Sequence, residues 1–196
     1  MKKVIGATLL ITVIFFSCQK NSVAPVQSST PNGTELLSQG GTATTAANDS
    51  LNDVKGYVKL QLAKDSIHTD NILIAFDPTA RFVYVPGADA PSLQGFGPVS
   101  LSSLSSNNVP LSIYTLPLTP KGVKIALRVN SQTDGIFALS LRDINSVPQP
   151  YNFWLIDGYK KDSLELRYNN TYAFNILKAD TASFGANRFK LVIRTR

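Results

Sequence analysis

The chain has one cysteine, one histidine and one tryptophan in 196 residues. A lone cysteine, Cys18, excludes any disulfide within the chain, so a domain of this size must be held by its core. A lone histidine, His68, leaves an imidazole-based metal centre without its second ring. Its nearest acids in sequence are Asp65 and Asp70, and His68 reads as a solvated loop residue. Acids total 13, and only Glu35 and Glu165 are glutamates. A glycosidase needs two carboxylates flanking one bond. Asp157, Asp162 and Glu165 cluster near one turn, but Asp157-Gly158 and Asp162-Ser163 read as turn chemistry first. No serine sits in a nucleophile elbow. Gly95-Phe96-Gly97-Pro98 places a proline where a phosphate cradle needs an N–H donor. No cationic cluster is denser than Lys160-Lys161, which argues against nucleic acid as a partner. These absences predict a protein that is not an enzyme, with no cofactor and no metal.

A long apolar run is also missing. Met1-Lys2-Lys3 leads into an apolar stretch over residues 4–17. That is shorter than the roughly 20 residues a spanning helix needs. A basic start and a short apolar segment read as a secretory signal. The stretch ends in Phe15-Phe16-Ser17-Cys18, a small residue directly before cysteine. This resembles the lipobox of bacterial lipoproteins, with Phe15 where leucine is commonest. The resemblance implies removal of residues 1–17 and lipidation of Cys18. Each buried lipid CH₂ contributes roughly 0.8 kcal/mol, so several acyl chains anchor durably. The partner so implied is a membrane. Gln19-Lys20 resembles the start of the export signal of Bacteroidetes surface lipoproteins, without its acidic residues. The expected location is the outer membrane, on the cell surface or the periplasmic face.

Residues 18–52 are rich in Ser, Thr, Asn, Gln, Ala and Gly, as in Gly40-Gly41-Thr42-Ala43-Thr44-Thr45. Such a segment buries too little apolar surface to offset chain entropy, and reads as a lipidated flexible tether.

From residue 53 to 196 the period becomes two. Val54, Val58, Leu60 and Leu62 alternate with Lys55, Tyr57, Lys59 and Gln61. Further strands are expected over 71–76, 82–85, 111–115, 123–129, 137–141, 151–156, 163–167, 172–176 and 188–194. The segments 123–129 and 137–141 flank the turn 130–135 and read as a hairpin. Short strands with Pro and Gly between them predict an all-β fold, an antiparallel, jelly-roll-like β-sandwich of about nine or ten strands.

The segments around Gly135-Ile136-Phe137-Ala138-Leu139, Trp154-Leu155-Ile156-Asp157, Leu166-Arg167-Tyr168-Asn169-Asn170 and Arg188-Phe189-Lys190-Leu191 resemble a β-sandwich module of Bacteroidetes exported proteins. In that family the module often precedes a C-terminal sorting domain of type IX secretion. Here the chain stops at Thr195-Arg196, and lipid on Cys18 is expected to replace that route. The family supplies no active site to carry over.

Two patterns suggest binding or modification. If Phe153 and Leu155 face the core, Trp154 faces outward with Asn152 and Ile156. With Tyr151 or Tyr159 nearby, Trp154 would stack a sugar ring. Separately, Asp49-Ser50-Leu51, Asp65-Ser66-Ile67, Asp162-Ser163-Leu164 and Asp180-Thr181-Ala182 all read Asp-Ser/Thr-apolar. This resembles the O-glycosylation acceptor of Bacteroidetes exported proteins, implicating Ser50, Ser66, Ser163 and Thr181. The sequence therefore predicts a non-catalytic, membrane-tethered binding or structural module of the cell envelope, whose partners are glycans or other envelope proteins. The alternative is a carbohydrate-binding module built on Trp154.

Overall fold

The computed structural model describes residues 53–93 and 97–196. The expected signal peptide, tether, Cys18 and Ser50 lie outside these residues. The described chain is all-β: β1 (Gly56–Ala63), β2 (Thr69–Phe76), β3 (Ala90–Pro91), β4 (Val99–Leu104), β5 (Pro110–Leu116), β6 (Val123–Ser131), β7 (Gly135–Asn145), β8 (Tyr151–Asp157), β9 (Asp162–Glu165), β10 (Thr171–Ile176) and β11 (Gly185–Thr195). Among the described residues the helical content is a single 3₁₀ turn, Thr181–Ser183, capped by the Asp180 side chain.

All eleven strands join one sheet in the order β10-β7-β1-β2-β5-β4-β6-β11-β8-β9, with β3 paired to β5 off this path. The sheet is nearly closed into a barrel-like shape. Its two ends approach each other. Phe174 on β10 meets Phe189 on β11 edge-on, with ring centroids 4.7 Å apart. The Tyr172 hydroxyl on β10 donates to Asp157 on β8 at 3.2 Å.

Period two places the core. Val58, Leu60 and Leu62 of β1, Phe137 and Leu139 of β7, Phe153 and Leu155 of β8, and Leu191 and Ile193 of β11 are all buried in one continuous cluster. Burying each such side chain contributes about 1.5–3 kcal/mol.

Three expectations are corrected. The sheet is not wholly antiparallel, because β2 and β5 run parallel from Leu73↔Ile113 to Phe76↔Leu116. A parallel pair needs a long crossover, and residues 77–109 supply it. Segments 123–129 and 137–141 do not form a hairpin: β6 pairs with β4 and β11, while β7 pairs with β1 and β10. Both bury their apolar side chains in the same core from different parts of the sheet, so the turn between them is an arch.

Residues 82–85 form no ladder. Side chains take their backbone donors: Asn107 accepts from the Tyr84 N–H at 3.1 Å and Asp89 from the Val85 N–H at 2.8 Å. Strand β4, unforeseen, is serine-rich, yet Ser102 and Ser103 are fully buried within it. Ser103 hides its polarity by donating to the Leu111 carbonyl at 3.2 Å.

Candidate functional site

The strands β4, β6, β11 and β8 lie side by side, and their outward positions make one face. On β6 these are Lys124, Ala126 and Arg128; on β11 they are Lys190, Val192 and Arg194; on β8 they are Asn152, Trp154 and Ile156. The ladders set them in rows. Lys124, Val192 and Trp154 form one row, and Ala126, Lys190 and Ile156 the next. Phe153 and Leu155 are buried, so Trp154 faces outward as the period predicts. The ring is half-buried, and the Arg194 guanidinium lies over it, 5.9 Å from its centroid. That is within the range where a cation is attracted to the ring quadrupole.

No outward position on these four strands carries an acid. Asp157 points inward, and Glu165, opposite Trp154 on β9, accepts the backbone N–H groups of Phe153, Arg167 and Tyr168. Among the described residues the ion pairs are His68–Asp65 and Arg188–Asp157. The cations of this face are therefore unpaired with any carboxylate among the described residues.

At the Lys124–Arg194 end the face opens into a cleft of about 720 Å³. Lys121, Lys124 and Arg194 supply its charge, and Ser106, Asn108 and Phe82 are among its other walls. The cleft is shaped by Tyr114, whose hydroxyl donates to the Phe82 carbonyl at 2.5 Å. Burial, aided by nearby Asp89, pushes the Tyr114 hydroxyl up to about 12. Gly122 lies at the cleft with φ +81°, and a Cβ there would collide with the Ile193 carbonyl oxygen.

The expected stacking partners of Trp154 do not assemble. Tyr151 is fully buried in the core, because it shares the inward parity of Phe153 and Leu155. It is therefore withdrawn as a stacking residue. Tyr159 is exposed, but it follows the end of β8. Its hydroxyl donates to Asp180 at 2.7 Å, and it lines a second cavity of about 430 Å³ with Thr181, Asn187 and Arg188.

That second cavity lies against a buried polar cluster. The Arg188 guanidinium contacts Asp157 at 2.9 Å, with both side chains fully buried. Arg188 also donates to the carbonyls of Asn175 and Ser183. Asp157 accepts further from the backbone N–H groups of Tyr159 and Lys160 and from the Tyr172 hydroxyl. Burial pushes the Asp157 carboxyl up, but Arg188, the Lys160 N–H and Tyr172 together outweigh it and hold the group below its usual range. Burial and the Asp157 and Asp162 carboxylates raise Tyr172. Asp157 sits on the core parity of β8, a sign that the sequence already holds. Arg188 gives no such sign. Period two counted from Phe189 turns it outward, and it is buried because the β11–β6 register shifts between Gly185 and Phe189.

His68 is exposed. It caps a loop with Asp65, Nδ1 to Oδ2 at 2.7 Å, and Asp65 also accepts the N–H groups of Ile67 and His68. Those bonds, the His68 side chain first, lower Asp65 to about 2. Asp70 is engaged elsewhere, accepting from the Leu101 N–H at 2.8 Å. Among the described residues, no three His, Cys, Asp or Glu side chains converge as metal ligands. Ser66, Ser163 and Thr181 are all exposed. Ser163 stands in strand β9 rather than in a turn.

Comparison with known proteins finds no match. No family model, no curated protein and no solved structure resembles the chain closely enough to count.

Proposed function

We propose that this chain is a non-catalytic binding module of the cell envelope, held at the outer membrane by lipid on Cys18. The observation that carries the binding half is the outward face of β6, β11 and β8. It joins Trp154 to unpaired cations and a cleft, with no acid among its outward residues. The tether half rests on the N-terminal pattern of Lys2, Lys3, a short apolar run and Ser17-Cys18. The non-catalytic reading is supported by how the titratable groups are employed. Asp157 is spent on Arg188, Glu165 on backbone N–H groups, and His68 on Asp65.

The sheet is read as a flattened, jelly-roll-like sandwich of the kind found in Bacteroidetes exported proteins. The arch from β6 to β7 and the Phe174–Phe189 contact across the core support that reading. The exposure of Ser66, Ser163 and Thr181 supports their use as O-glycan acceptors, and the same role is assigned to Ser50 by its triplet.

A second reading, a carbohydrate-binding module, is favoured by the outward position of Trp154. It makes the binding half more specific without altering the tether. Labelled-palmitate incorporation in the native host tests the tether. The label enters the wild-type chain and is lost in Cys18→Ala; persistence in the variant overturns lipidation at that residue.

A further inference from the structure

We infer that the face formed by β6, β11 and β8 binds an acidic polysaccharide, with Lys124, Arg194, Lys190 and Arg128 as its anion contacts and the cleft beside Lys121 as its deepest subsite. This rests on the proposal that the outward face is a binding surface, and adds the charge class of the ligand.

The charge pattern is the first support. Lys124 and Arg128 lie four residues apart on β6, and Lys190 and Arg194 four apart on β11. At about 3.3 Å per residue each pair spans roughly 13 Å, on strands about 4.8 Å apart. The result is a positive strip. None of the four side chains donates a hydrogen bond to the protein or lies in an ion pair among the described residues. Unpaired cations sharing one face raise its potential and favour a polyanion that meets several of them at once.

The second support separates a glycan from a lipid surface. Membrane-docking faces present apolar side chains for insertion. Of the large exposed apolar residues, none lies on β4, β6, β8 or β11, and the one that belongs to this site, Phe82, stands in the wall of the cleft rather than on the flat face. Val192, Trp154 and Ile156 are half-buried within the rows that carry the charges. The strip instead runs into a concave cleft lined by hydroxyl, amide and aromatic groups: Ser106, Asn108 and Phe82. Its volume of about 720 Å³ is in the range of small-molecule sites. Hydroxyl and amide groups match sugar hydroxyls, the rings match sugar faces, and the cations match carboxylates.

The full lipidated chain in detergent is tested for binding to polygalacturonate and to its methyl ester, which keeps the backbone and removes the charge. A soluble short-chain phosphatidylglycerol forms a third arm, because the lipid on Cys18 would carry the chain into any vesicle whatever this face does. The expected result is binding to polygalacturonate that weakens with salt, with little binding to the ester. Both Lys124→Gln/Arg194→Gln and Lys124→Gln/Lys190→Gln weaken it about tenfold, the loss of two charge contacts. Lys55→Gln/Lys59→Gln, which removes equal charge from exposed positions at β1, leaves it within about twofold. Equal loss in both sets of variants would show net charge alone, and overturns the inference. Equal binding of the ester overturns it too, while leaving the binding surface standing. Binding of the short-chain lipid that is lost in these variants, without polysaccharide binding, assigns the face to lipid headgroups and overturns the inference. Binding to none of the three arms overturns the inference, while the binding surface beneath it stands or falls separately, on whether Trp154→Ala loses binding to any polysaccharide of a wider panel.

Discussion

Arg188 on β11 and Asp157 on β8 meet at 2.9 Å with both side chains fully buried. Their remaining polar atoms are taken up by backbone carbonyls, backbone N–H groups and the Tyr172 hydroxyl. The pair lies where the end of the sheet at β10 returns toward β8, so it pins the near-closure of the fold. Asp157→Ala leaves the Arg188 charge buried without its partner. We predict a loss of about 3–5 kcal/mol in denaturant unfolding, far above an average substitution.

The same pair sets an acid limit. The folded Asp157 carboxyl is held below its usual value. Its contribution is therefore fully present above the unfolded value of about 4 and is lost as pH falls through the folded one. Melting temperature should drop on acidification below about pH 4, and in Asp157→Asn this part of the pH dependence should be absent.

Gly122 makes a sharper steric prediction. Its φ is +81°, and an added Cβ would run into the Ile193 carbonyl of the neighbouring strand. Gly122→Ala is expected to destabilise by about 1–3 kcal/mol and to reshape the adjoining cleft. Gly87→Ala is the comparison: φ is +87°, but nothing lies within 4 Å of the new Cβ. It should cost only the backbone term, about 1 kcal/mol. Equal losses at the two positions would contradict the close approach at Gly122.

Asp65 tests the loop reading of His68. Its carboxyl resonance should titrate near pH 2, and should move upward in His68→Ala, where the largest cause of the depression is removed. Both groups are exposed, so melting temperature should hardly respond.

Much of this was legible from period two. Lys124, Arg128 and Trp154 are outward, and Val58, Leu60, Phe153 and Leu155 inward, as alternation requires. What alternation lacks is neighbourhood. It says that Lys190 and Arg194 face out, but only the ladder puts their strand between the strands of Lys124 and Trp154. Tyr151 had the parity of Phe153 all along, and its burial follows from that parity. Strand β4 stayed hidden because serine reads as loop, although Ser103 satisfies its hydroxyl within the sheet. The expected hairpin of β6 and β7 failed because turn composition does not distinguish a ladder-closing turn from an arch. Arg188 is buried by a register shift, which no spacing in the sequence announces.

O-glycosylation makes its own prediction. Intact mass of the protein from its native host should exceed the lipidated chain by glycan increments. Each should disappear singly in Ser66→Ala, Ser163→Ala and Thr181→Ala, all exposed positions. A mass equal to the lipidated chain would sink the assignment.

If the outward face of β8 and its neighbours is a binding surface, Trp154 stands at its centre and its removal must be felt. The full chain and Trp154→Ala should be measured against a panel of polysaccharides, with melting temperature as the folding control. The wild type should bind at least one of them, and Trp154→Ala should weaken that binding about tenfold with its fold intact. Unchanged binding by a folded Trp154→Ala would contradict a binding surface on this face.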